Sequence, residues 1–107
     1  MVKKDIMDSL GFLGLSEKES GIYIYVCSHP NTTAGKIIKE LGVARSKAYD
    51  ALEKLESMGL IRKDDRKVAK YSSAGGETLS DIYKKRVEEV GRAIEYILRG
   101  TGGISVG

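Results

Sequence analysis

The sequence predicts a mainly α-helical fold with one small β ribbon and a long final helix. Three observations predict it. Apolar residues recur at helical spacing in four separate segments. A single pair of short extended runs, 60–64 and 68–72, flanks the polar turn Asp65-Arg66-Lys67. Residues 78–99 then carry the longest helical pattern of the chain.

Within 3–14, Ile6, Met7, Leu10 and Leu13 form the apolar side of a short amphipathic helix, with Gly11 and Gly14 near its end. Ser16 followed by Glu19 is a capping box, so a second helix starts at Glu17. Ile22, Tyr23, Val26 and Cys27 carry it to about Ser28, and Ile24 and Tyr25 broaden its apolar surface. This helix is therefore expected at the centre of the core. Pro30 prevents continuation, and Asn31-Thr32-Thr33 supplies the cap of the next helix. His29 stands at a helix C-terminus, where it compensates the dipole rather than serving catalysis. Cys27 has no companion that suggests a metal site and reads as a small core residue.

The central stretch is 33–61. Ile37, Ile38 and Leu41 share one helix face, and Gly42 follows where a left-handed cap residue is needed. After Val43, the residues Ala48, Leu52 and Leu55 form the buried stripe of another helix, stopped by Gly59. Helix, tight turn and helix make a helix-turn-helix, whose second helix enters a DNA major groove. Off the stripe lie Arg45, Ser46, Lys47, Tyr49, Asp50, Glu53 and Lys54. They offer a forked donor for guanine, a hydroxyl, an aromatic edge and a carboxylate able to accept from cytosine. A solvated helix on a helical core has the same spacing.

The ribbon that follows is then a wing. Arg66 and Lys67 at its tip and Lys70 on its flank are candidate backbone contacts, with Thr33 and Lys36 at the start of the preceding helix. A solvated hairpin is the alternative. Charge supports the first reading. The net charge is +3, but residues 1–31 carry −1, residues 32–73 carry +4 and residues 74–107 carry 0. The excess lies where counterion release needs it.

Ala74-Gly75-Gly76 breaks the chain. Beyond it Tyr83, Val87, Val90, Ile94 and Ile97 are spaced four, three, four and three, which is a coiled-coil seam between charged positions. The stripe can fold back on its own domain or pair with a second copy. Its length relative to so small a domain favours a dimer. The expected organisation is 1–75 as a DNA-binding domain, 77–99 as a dimerisation helix and 100–107 as a flexible tail.

With one cysteine, no intrachain disulfide forms, and an intracellular, cytoplasmic location is expected. No apolar run has the length of a spanning helix, so no membrane partner is expected. No nucleophile-base pair, phosphate loop or metal-ligand cluster is seen, so neither an enzyme nor a cofactor is expected.

The stretches LGLSEKESGIYIYV, TAGKIIKELGVARSKAYDALEKLESMGLI and the closing KYSS resemble the winged-helix domain of TrmB-type archaeal transcriptional regulators, over about residues 9–75. The resemblance implies three helices and a wing acting on DNA as a dimer, with Arg45, Ser46, Lys47 and Tyr49 on the DNA-facing start of the recognition helix. Many members carry a large C-terminal sugar-binding domain, whereas one helix follows the wing here, so sugar sensing is not implied. The wing tip DDRKVAK lacks the family's Gly and Pro, and Ala44 lacks a capping side chain. The expected function is a homodimeric, sequence-specific regulator that binds double-stranded DNA. The alternatives are a winged-helix module that docks on a protein of the transcription machinery and an architectural DNA-binding protein without sequence preference. Any small-molecule effector is unknown.

Overall fold

The computed structural model describes residues 3–101. Its elements are α1 (Lys3–Phe12), α2 (Glu17–Ser28), β1 (Thr32–Thr33), α3 (Ala34–Leu41), α4 (Arg45–Ser57), β2 (Ile61–Lys63), β3 (Lys70–Ser73) and α5 (Gly76–Tyr96), closed by a π-helical turn over Ile97–Thr101. The expected tail at 102–107 lies outside the described residues, and Gly100 and Thr101 belong to the π turn.

The caps form as their residue types dictate. Ser16 Oγ accepts from the Glu19 amide, and Glu19 Oε1 accepts from the Ser16 amide at 2.8 Å, which starts α2 at Glu17. Thr33 Oγ1 accepts from the Lys36 amide and opens α3. Gly42, at φ +64°, ends α3 in the left-handed conformation that a β-carbon disfavours. At the end of α2, His29 Nδ1 lies 3.0 Å from the Tyr25 carbonyl, and the two rings stack with centroids 4.0 Å apart. The carbonyl can only accept, so Nδ1 carries the proton and the imidazole caps the helix.

The helices pack around α2. Ile22, Tyr23 and Val26 meet Ile37 of α3, Leu52 and Leu55 of α4, and Leu60 and Ile61 beyond it, all buried. Two readings are corrected. Cys27 is exposed, because the buried arc of α2 runs through Ile22, Tyr23 and Val26 and leaves residue 27 outside it. Leu41 is 39% exposed at the end of α3, and Ile38 is only half-buried, so the core contact of α3 is carried by Ala34 and Ile37. α1 ends at Phe12, one residue after Gly11.

The ribbon is part of a three-stranded antiparallel sheet in the order β1-β3-β2, with Thr32 opposite Tyr71 and Lys63 opposite Tyr71 on the other side. Asn31, at φ 61°, turns the chain into β1; its amide donates to Ser72 Oγ at 2.9 Å, and that hydroxyl donates back to Asn31 Oδ1. The wing is thereby tied to the entry of α3.

α5 leaves the body after Gly75, at φ +101°. Leu79 and Ile82 pack against the core cluster, and Arg86 Nε donates to the Phe12 carbonyl at 3.2 Å. Further along, the helix stands clear, and the described residues span 58 × 28 × 24 Å. Tyr83, Val87, Val90, Ile94 and Ile97 are all exposed, and no residue of α5 is buried. The stripe does not fold back on its own body.

Candidate nucleic-acid interface

The recognition helix α4 is positioned by its buried face. Ala48, Ala51, Leu52 and Leu55 are each no more than 4% exposed, so the helix cannot rotate about its axis without opening the core. Its opposite face then follows from helical geometry. Arg45, Ser46, Lys47, Tyr49 and Asp50 are all exposed on the first two turns. The Arg45 guanidinium lies over the Tyr49 ring, 5.6 Å from its centre. This cation-π contact limits the freedom of both side chains and presents them as one unit. Ala44 caps α4 with no side-chain hydrogen bond, which leaves the first amides of the helix available on the same surface.

Lys54, a candidate DNA contact, is also engaged within the fold. Its Nζ donates to Glu19 Oε1 at 2.8 Å and to the Gly14 carbonyl at 3.1 Å. It is three turns from Ala44, and its side chain reaches back across α2. Burial alone pushes the Glu19 carboxyl up, but the bonds from Lys54 and Ser16 outweigh it and hold Glu19 below its ordinary range.

The wing is organised by Asp64. Its Oδ1 accepts from the Lys70 amide at 2.9 Å and the Arg66 amide at 3.3 Å, and its Oδ2 pairs with Arg66 Nε at 3.2 Å. These bonds, the Lys70 amide first, hold the Asp64 carboxyl below its ordinary range. Arg66 is thus tethered at the base of the tip, while Lys67 and Val68 project from it, Val68 being 66% exposed. The Lys70 side chain is half-buried.

Between wing and recognition helix runs a groove of about 480 Å³, lined by Thr33, Arg45, Tyr49, Lys63, Lys67 and Tyr71 among others. Thr33, Arg45, Tyr49 and Lys67 were expected at such a surface, and the fold brings them together from three elements. Lys36 is exposed on the first turn of α3, whose opening residues Ala34 and Gly35 also line the groove. Lys63, which adds positive charge on the flank of the wing, joins them there, whereas Tyr71 was not among the candidate residues. Tyr71 is 95% buried; that it also reaches the groove depends on the pairing of β3 with both β1 and β2.

A helix-turn-helix followed by a wing defines the class: this is a winged-helix DNA-binding fold. The family model described as "Sugar-specific transcriptional regulator TrmB" matches residues 10–75 of the 107, and the chain belongs to that family of transcriptional regulators. Among solved structures, the chain is similar to TrmBL2, an archaeal chromatin protein, at a TM-score of 0.75 and 19% identity over 96% of this chain and 40% of that one. It also resembles the transcriptional regulator SlyA, at 0.60 and 22% over 91% and 70%, and an ArsR-like regulator from Rhodococcus sp. RHA1, at 0.60 and 17% over 95% and 94%. The chain spans about 40% of the length of TrmBL2. No curated protein sequence matches it. Among the described residues, no helix is long and apolar enough to cross a membrane.

Proposed function

We propose that this chain is a homodimeric regulator that binds double-stranded DNA sequence-specifically inside the cell, with α4 in the major groove and the wing on the phosphate backbone. The observation that carries the reading is the exposed first half of α4. Arg45 and Tyr49 are held together by their ring contact, with Ser46, Lys47 and Asp50 exposed beside them. An arginine fork, a hydroxyl and a carboxylate on one helix face suit base edges better than they suit a uniform polyanion. Lys36, Lys67, Arg66 and Lys70 supply charge around that face for backbone contacts. The proposed organisation is 1–75 as the DNA-binding unit and 77–99 as the pairing helix.

The dimer is supported by the exposed seam Tyr83, Val87, Val90, Ile94 and Ile97. Five large apolar side chains at heptad spacing are costly in water, and a second copy presents the same stripe. Two recognition helices would then read half-sites about 34 Å apart.

The test is selection of duplexes from a randomised pool at two salt concentrations, with the bound fraction sequenced. Enrichment of a palindromic motif supports the reading. Salt-dependent binding without enrichment favours the second reading, an architectural protein that coats DNA. The similarity to the chromatin protein TrmBL2, which extends over 96% of this chain, favours that alternative. Failure to bind any duplex at low salt removes both and favours docking on a protein partner.

A further inference from the structure

We propose that the hollow between the base of α5 and the body is a docking site for Tyr96 of a second copy of this chain, and that the two α5 helices therefore pair antiparallel. This site rests on the homodimer reading, and it adds the direction of the pair and a contact outside the seam.

One flank of α5 does different work at its two ends. Leu79, Ile82 and Arg86 stand on the flank that meets the body. Leu79 and Ile82 pack against the core cluster, and Arg86 Nε donates to the Phe12 carbonyl. Tyr96 follows Ile82 by two heptads, so it stands on the same flank. It is 65% exposed, beside the seam rather than in it. By helix rise it lies about 21 Å beyond Ile82, too far along to return to its own body.

The body leaves a hollow of about 250 Å³ against that flank. Leu13, Met58 and Ile82, each half-buried against the core, form its apolar wall. Lys85, Arg86 and Glu89 form its charged rim. Such a hollow suits a tyrosine, whose ring is apolar and whose hydroxyl needs a polar partner. The Glu89 carboxylate can accept from that hydroxyl, and Lys85 and Arg86 can donate to it.

An antiparallel pair brings ring and hollow together. The register that covers all five seam residues sets Tyr83 on the partner's Ile94 and Val87 on the partner's Val90, with Ile97 over the partner's Ser80. The partner's Tyr96 is then level with Asp81, one residue from Ile82. A twofold axis sets like flanks together, so that ring faces the hollow. Ala93 on the same flank is small and lets the helices approach beside Arg86. In a parallel pair both Tyr96 rings lie at the end away from both bodies, and neither hollow is filled. Parallel helices also set the Lys84-Lys85-Arg86 runs of both copies at one level. Antiparallel, each run meets Gly91-Arg92-Ala93, which carries one cation in place of three. The seam from Tyr83 to Ile97 is little more than two heptads long, and a desolvated aromatic anchor at each end strengthens it.

The experiment measures the distance between spin labels in the full chain carrying Cys27→Ser, an exposed position, and Arg99→Cys. In the antiparallel register the two labelled positions are about 32 Å apart by helix rise. In a parallel pair they lie side by side, about 10 Å apart as packed helix axes are. Sedimentation equilibrium then compares the parent with Tyr96→Ala, Leu13→Ala and the double variant. Tyr96→Ala should raise the dimer Kd about tenfold or more, and its far-ultraviolet spectrum should match the parent's, since the residue is exposed in the single chain. The double variant should lose no more than the weaker-pairing single variant, because ring and wall form one contact. A short label distance overturns the antiparallel pair while the dimer stands. A long distance with a parental Kd in Tyr96→Ala overturns the docking of that ring in the hollow. A parent that sediments as a monomer sinks the homodimer reading itself, and this site with it.

Discussion

Lys54 Nζ on the recognition helix lies 2.8 Å from Glu19 Oε1 on α2, and the same carboxylate oxygen closes the capping box of Ser16. One oxygen therefore joins the start of α2 to the side of α4. The lysine also reaches the Gly14 carbonyl, so it ties the recognition helix to the turn between α1 and α2. Lys54→Met should lower stability by about 0.5–1 kcal/mol, because the pair is partly solvated. Duplex affinity should change little, and a large loss of affinity at unchanged stability would mark Lys54 as a DNA contact as well. The pH dependence has a definite sign. Glu19 is held below its ordinary value of 4.5, so the contribution is complete above that value and fades as pH falls through the folded-state pKa. Urea titrations at pH 7 and pH 3 should show the effect of Lys54→Met shrinking at the lower pH.

Asp64 is the organiser of the wing. Asp64→Asn keeps the shape but removes the charge that holds Arg66 and weakens acceptance from the Lys70 amide. Hydrogen exchange at the Lys70 amide should quicken, and duplex affinity should fall several-fold while the thermal midpoint moves little. Because the Asp64 carboxyl is held below its ordinary 3.8, wing order should be complete above that pH and decline beneath it.

Arg45 and Lys67 should separate base reading from charge. Arg45→Ala should cost about 1–3 kcal/mol on the selected site and relax base preference. Lys67→Ala should weaken all duplexes alike and lower the salt slope by about one. Anisotropy at several salt concentrations measures both, and an Arg45→Ala protein with parental preference would sink the sequence-specific reading.

The seam of α5 should control assembly. Ile94→Asp puts a carboxylate in the middle of the apolar stripe, where pairing would have to desolvate it. Sedimentation equilibrium should show the parent as a dimer and the variant as a monomer that is still folded, since Ile94 is 52% exposed in the single chain. A parent that sediments as a monomer at tens of micromolar would rule out α5 as a pairing helix.

Leu55→Ala tests the packing that aims α4. Leu55 is fully buried, and its truncation should cost about 2–5 kcal/mol in chemical unfolding.

Much of this fold is readable from the chain because its signals are local. The capping box at Ser16, the cap at Thr33, the left-handed Gly42 and the stripe of Ala48, Leu52 and Leu55 each depend on residues within about one helical turn of each other. The reading face of α4 follows, since a helix with one side buried has little choice about the other. Tertiary structure decided what depends on distant partners. β1 is two residues long and exists only because β3 offers it an edge, so its sequence reads merely as a cap. Cys27 and Leu41 are apolar residues at helical spacing, and only the directions from which α3 and α4 approach α2 leave them outside the core. Lys54 and Tyr71 show the same limit: one lysine is taken by a glutamate 35 residues away, and one core tyrosine is opened to a basic groove by strand pairing. Periodicity records which face of an element is apolar; which neighbour meets that face is set by packing in three dimensions.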